Sequence, residues 1–288
     1  MLVDLIHVVT RDGVRLDGMM QRPPVLGSSR LGVDAVLCVH GTGGSFYSSP
    51  LFDVLADRLM PSGCAILRVN TRGHDGISTA TTAQGGRRIG AAYEVVDDCR
   101  HDQAAWIDWL LRNGHQRIGL IGHSLGAVKS MYALAREPQS SVAGLIALSP
   151  PRLSHLQFRE STSGADFLTT YESAEQLVRA GAAQSLIEVQ LPLPMVITAG
   201  GYVEKYGPDE RYNFLQFIAR VANPIRLTFG SVELENNLAF RGLPEQLAPI
   251  AATHPSMQVD TIARADHFYS AVRPELAERV ESWLRELT

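Results

Sequence analysis

The chain has 288 residues, 45% of them apolar and 19% charged, a balance that supports a large buried core and excludes a disordered chain. Its formal net charge of −4 offers no long-range attraction to nucleic acid or to an anionic membrane. No run approaches the roughly 18 apolar residues of a membrane span.

The opening stretch, "MLVDLIHVVTRDG", lacks a basic lead and is broken by Asp4 and His7, so it does not read as a signal peptide. "LIHVVT" and "VRLDGMMQ" flank Arg11-Asp12-Gly13, a hairpin turn signal. "DAVLCVHG" follows as a buried strand, apolar on both faces. "PLFDVLADRLMPSG" sets Leu51, Val54, Leu55 and Leu59 on one helical face and stops at Pro61-Ser62-Gly63. "CAILRVNTRG" is the next strand, and "VVDDCRHDQAAWIDWLLRNG" a helix ending at Asn113-Gly114. "RIGLIGHS", "VAGLIALSP", "PIRLTFGSVE" and "MQVDTIARADH" bring the strands to eight. "PELAERVESWLREL" closes the chain as a helix with Pro274 in its first turn. Short β-branched runs alternating with amphipathic stretches predict an α/β fold.

Residues 150–223 break this alternation. They are polar and Gly/Ser-containing around "PPRLSHLQFRESTSGADFLTTY", and "MVITAGGYVEKYGPDERY" allows a ninth strand or a helix. Eight strands complete a sheet without it, so a mostly helical insertion is expected there. The division is a core of residues 1–149 and 224–288 and a cap of residues 150–223. Cys38, Cys64 and Cys99 are odd in number and widely spaced. They argue against a disulfide framework or a zinc site, and for a reduced, cytoplasmic setting in which they act as small buried hydrophobes.

"GLIGHSLGAV" carries the chemistry. Gly122-His123-Ser124-Leu125-Gly126 matches G-x-S-x-G between a predicted strand and a predicted helix, the setting that motif requires. A sharp turn there lifts the Ser124 hydroxyl above the sheet edge, at a helix N-terminus that favours developing negative charge. Serine needs a base at neutral pH. Of nine histidines, His267 in "ARADHFYS" follows the last strand and is positioned to return over the same edge. His40 and His123 read as motif and turn residues, His74 as a loop residue and His254 as solvated or structural.

The base needs a carboxylate to hold its tautomer. Glu233 stands three residues past Gly230, at the end of a strand and upstream of His267, with Glu235 the close rival. Glu204 and Asp209 enter only if "MVITAGG" is the acid-bearing strand, and Asp266 is too close along the chain to reach round to the ring. An oxyanion would be bound by the Leu125 N–H and by an amide of "HGTGG", with Thr42 as donor and Gly43 as its alternate. Phe46, Tyr47 and Phe268 are candidate pocket residues. No phosphate-binding glycine pattern is present.

"VHGTGG", "VNTRGHDGIS", "GHSLGA" and "ADHF" in this order resemble the α/β-hydrolase superfamily over nearly the whole chain. The resemblance implies an eight-stranded, mostly parallel sheet, a cap after the sixth strand, and Ser124, Glu233 and His267 as nucleophile, acid and base. Two departures stand out: Glu where Asp is commoner, and Asp75 within "RGHDGIS" where Gly is frequent.

The expected function is hydrolysis of an ester, thioester or lactone of a small molecule, with no metal or organic cofactor. Ser rather than Asp at position 124 argues against chemistry through an alkyl-ester intermediate. Carbon–carbon bond hydrolysis, peptidase action and acyl transfer remain open, as does a non-catalytic ligand-binding role on the same scaffold. Small-molecule substrate is the expected partner, and nothing in the sequence opposes a homodimer.

Overall fold

The computed structural model describes residues 3–23 and 29–287. Met1 and Leu2 of the opening stretch lie outside them. Strands β1 (Asp4–Val9) and β2 (Arg15–Gln21) form the hairpin, with Gly13 at φ +83° in its turn. β3 (Ala35–Val39), β4 (Ala65–Val69), β5 (Ile118–His123), β6 (Val142–Leu148), β7 (Ile225–Gly230) and β8 (Met257–Ile262) complete one eight-stranded sheet. Its order is β1-β2-β4-β3-β5-β6-β7-β8. β2 runs antiparallel to β1 and β4, and the remaining pairs are parallel. This is the eight-stranded, mostly parallel sheet flanked by helices that the α/β-hydrolase resemblance implies.

Strands buried on both faces sort their side chains by twos. Along β3, Leu37 and Val39 face Trp106 and Val128, while Val36 and Cys38 face Phe52 and Leu284. Helices α1 (Pro50–Leu59), α2 (Cys99–Arg112) and α3 (Leu125–Arg136) are the first to cover these faces, α1 on one side and α2 with α3 on the other. Burying a side chain such as Phe52 or Leu284 stabilises by roughly 1.5–3 kcal/mol. α1 begins at Ser49, whose side chain accepts the Phe52 N–H, and winds down through a short 3₁₀ turn into Gly63 at φ +86°.

Between β6 and β7 lies the inserted segment. It contains α4 (His155–Arg159), α5 (Gly164–Arg179) and α6 (Ala199–Tyr206). "MVITAGGYV" supplies both a strand and a helix: Met195–Thr198 pairs with Leu186–Val189 in a separate two-stranded sheet, then runs into α6. A second small hairpin, Ser78–Thr82 with Gly85–Ile89, follows β4. Beyond β7 come α7 (Ser231–Asn236) and α8 (Leu243–Thr253), and α9 (Arg273–Glu286) packs beside α1. The three cysteines are all buried and unpaired. Among the described residues, no helix is long and apolar enough to cross a membrane.

The parallel strands set the site. The chain leaves β3, β5, β7 and β8 at their carboxyl ends, which share one edge of the sheet, the edge at which open α/β sheets hold their ligands.

Candidate active site

At the end of β5 the backbone turns through Ser124 at φ 55° and ψ −127°, a left-handed φ that strains a non-glycine residue. Two glycines make room for that turn. A Cβ on Gly122 would sit 2.6 Å from Ala127 backbone atoms, and one on Gly126 would sit 2.2 Å from the Val39 carbonyl oxygen. The Ser124 N–H donates to the Leu148 carbonyl at 2.8 Å, tying the turn to the end of β6. Its side chain is thereby delivered to a cavity of about 620 Å³ at the carboxyl edge of the sheet, whose wall also includes His267, Thr42 and Leu125.

His267 Nδ1 lies 2.8 Å from Glu233 Oε2. The carboxylate accepts, so Nδ1 carries the proton and Nε2 is left with a lone pair. Glu233 is the third residue of α7, and its Oε1 reaches back to accept the Gly230 N–H at 2.7 Å, as a glutamate at that position does in a capping box. Oε1 also accepts the Ser149 hydroxyl at 2.5 Å. Ser149 Oγ in turn lies 2.8 Å from Tyr269 Oη, which is 2.8 Å from the Thr228 carbonyl. Ser149 and Tyr269 are both fully buried and both hold positive φ, 48° and 53°. Neither was suggested by the sequence, because the chain of contacts from Tyr269 through Ser149 to Glu233 spans the fold. The only local signal for Tyr269 is its place two residues after His267.

The rivals for the acid are elsewhere. Glu235 is exposed on the far side of α7, and Asp266 accepts the Phe268 and Ser270 N–H groups of its own turn. Glu204, on α6, accepts the Tyr212 hydroxyl, and burial pushes its carboxyl up to about 7. Asp209 is exposed.

Two histidines read from the sequence as motif or turn residues have defined tasks. His123 donates from Nε2 to the His267 carbonyl at 2.8 Å and packs its ring 4.9 Å from that of His267. Burial pushes its imidazole down to about 3, so it is neutral and able to donate from one nitrogen only. His40 Nε2 accepts the Thr71 N–H at 3.0 Å, which leaves Nδ1 to donate to the Gly41 carbonyl at 2.8 Å. Its ring is likewise held down to about 3 by burial. That bond orients the glycine loop against Ser124: a Cβ on Gly41 would lie 2.8 Å from Ser124 Cβ. Thr42 lines the cavity beside it, and Leu125 opens α3, where the first N–H groups have no acceptor within the helix.

Three sequence-stretch candidates fare differently. Phe268 lines the cavity, its ring 5.0 Å from that of His267. Phe46 and Tyr47 are not part of the cavity wall. Tyr47 is 61% exposed with its hydroxyl on the Asp75 carboxylate, and the Phe46 N–H is held by Asn70. Gly43, at φ +62°, faces the Asp75 carbonyl rather than the cavity. Asp75 takes Tyr47 and His74 on its carboxylate and donates its N–H to the Gly44 carbonyl, bracing the glycine loop from outside.

A family model described as "alpha/beta hydrolase fold" matches residues 34–179, which include the glycine loop and the Ser124 turn. The chain belongs to the α/β-hydrolase fold family. Solved structures with this fold cover nearly all of it at low identity. Est1E from Butyrivibrio proteoclasticus, solved with ferulic acid bound, is 16% identical with a TM-score of 0.66, over 97% of this chain and 98% of the other. The Pyrococcus furiosus esterase Pf2001 is 19% identical with a TM-score of 0.63, over 99% and 93%. The α/β hydrolase GrgF from Penicillium sp. sh18 is 14% identical with a TM-score of 0.71, over 100% and 99%. No curated protein sequence matches the chain significantly.

Proposed function

We propose that this α/β hydrolase is a serine hydrolase that cleaves a carboxylic ester, thioester or lactone through an acyl-enzyme. The observation that carries the reading is the His267–Glu233 contact, with His267 and Ser124 on one cavity wall. In this mechanism Ser124 Oγ attacks the carbonyl carbon while His267 Nε2 takes its proton. Glu233 holds the imidazolium that forms. The Leu125 N–H and a Thr42 N–H bind the oxyanion, a contribution worth roughly 2.7–4 kcal/mol per donor in comparable sites. His267 then protonates the leaving group and activates the water that releases the acid. The inserted segment acts as a cap: Leu153, Phe158, Pro192, Leu193 and Tyr206 wall the cavity. Esterases among the structural neighbours support the choice of an ester, and three unpaired, buried cysteines suit a reducing cytoplasm.

Intact-mass measurement after treatment with a fluorophosphonate tests the assignment. One adduct is expected on the native chain and none on Ser124→Ala. An adduct that survives the substitution, or no adduct on the native chain, rejects it.

A further inference from the structure

Among the described residues, the cavity wall contains two cationic side chains, Lys205 and Arg273, and no Asp or Glu, although the chain as a whole is acidic with a net charge of −4. Lys205 sits on α6 of the inserted segment and is 3% exposed. Its Nζ makes no hydrogen bond, and its ion-pair partner, Glu94 Oε2, is 3.7 Å away. The other oxygen of that carboxylate is already engaged. Glu94 Oε1 accepts Lys129 Nζ at 2.9 Å, and Lys129 also donates to Thr71 Oγ1 at 2.8 Å. Two buried ammonium groups thus share one buried carboxylate, and burial holds the Lys205 ammonium below its ordinary range, so that a second carboxylate beside it would favour its charged form. Arg273 has no carboxylate within ion-pair distance among the described residues. Its Nε donates to the Phe268 carbonyl, and Nη2 lies 3.5 Å from Ser270 Oγ.

We propose that the substrate of this site carries a carboxylate, which the Lys205 ammonium binds with Arg273 as the second positive group on the wall. The proposal rests on the serine-hydrolase reading and narrows its substrate class. A carboxylate supplies the counter-charge that Glu94 divides between two lysines, through a charge-assisted bond of the stronger kind. Lys205 lines the cavity although its side chain is buried, and the flexible four-carbon stem of lysine allows its ammonium to turn toward a ligand. Among the described residues no Asp or Glu lines the cavity itself; the nearest carboxylate to Lys205, Glu94, lies behind it.

Two pairs of chromogenic esters, each corrected for uncatalysed hydrolysis, test this. p-Nitrophenyl hexanoate against mono-p-nitrophenyl adipate places the charge on the acyl side; p-nitrophenyl acetate against 4-acetoxy-3-nitrobenzoate places it on the leaving side. In at least one pair the charged ester is expected to have a kcat/KM about tenfold or more higher. Lys205→Met is expected to cut that ratio about tenfold, and Lys205→Arg to keep part of it. A native ratio at or below one in both pairs overturns the proposal, as does a ratio unmoved by Lys205→Met. If Lys205→Met does not fold, the native ratio decides alone. Turnover of neutral esters with no preference for charge removes only the carboxylate. No turnover of any ester and no fluorophosphonate adduct removes the hydrolase reading with it.

Discussion

Glu233 and Glu235 are two residues apart, and a helix sends positions so spaced to different faces. In α7 this turns Glu233 inward to His267 and leaves Glu235 in solvent. Sequence pointed to both because strand end and chain order do not fix helical phase. The Ser149 and Tyr269 contacts were not legible at all: Ser149 meets Glu233 across 84 positions and Tyr269 across 120. With Ser149 in place, Oε1 is held from two directions and Oε2 is aimed at the ring. Glu233→Gln is expected to lower kcat about 10³- to 10⁴-fold, by analogy with loss of the orienting carboxylate in other triads. Ser149→Ala should cost less, about tenfold in kcat, and about 1.5–3 kcal/mol of stability for the hydrogen bond to a buried carboxylate. Glu235→Ala should match the native enzyme. Steady-state kinetics and urea denaturation on the three variants check this, and equal kcat for Glu233→Gln and native chain would exclude the assigned acid.

At the scale of elements, the strands were the most legible part because a doubly buried parallel sheet writes itself as short apolar runs. The turn between β5 and α3 was legible for a steric reason, since a tight crossing admits no Cβ at Gly122 or Gly126. Gly126→Ala would drive a methyl into the Val39 and His40 carbonyls, and overpacking of this kind costs typically about 1–3 kcal/mol. The variant is expected to melt several degrees lower and lose fluorophosphonate labelling, because the backbone shift moves Ser124 with it. A thermal melt with wild-type Tm and full labelling would show that the glycine is not required. The inserted segment was read only as mostly helical. Its hairpin strands have four residues each, too few to show a period, and "MVITAGG" turns from strand to helix at Thr198, whose hydroxyl accepts the Gly201 N–H. α7 and α8 were missed for similar reasons: α7 has six residues and α8 carries Pro249 inside it.

For the whole molecule, buried ionisable groups set the response to pH. His40 and His123 remain neutral in the fold down to about 3, against an ordinary 6.5. The unfolded chain therefore binds two more protons below that value, and stability falls as pH drops from about 6.5. Glu204 opposes them. Burial raises its carboxyl from 4.5 to about 7, so its contribution is full below about 4.5 and is lost as pH rises through 7. Of these three groups, the net excess between pH 5 and 6.5 is about one proton, worth about 1.4 kcal/mol per pH unit, and burial of His115, which also holds its imidazole down, acts in the same direction as the two buried histidines. Tm should fall by a few degrees between pH 6.5 and 5, and Glu204→Gln should roughly double that slope. A Tm that rises on acidification over this range would contradict the assignment of both imidazoles as neutral.

The inserted segment divides the site along the chain: Ser124 and the glycine loop precede it, Glu233 and His267 follow. During synthesis Ser124 is therefore made long before Glu233 and His267, the groups proposed to activate it. A growing chain, or one released before residue 267, holds a serine with nothing to ionise it. On the proposed mechanism the chemistry requires β7 and β8 in the sheet, because Glu233 and His267 follow them in the chain.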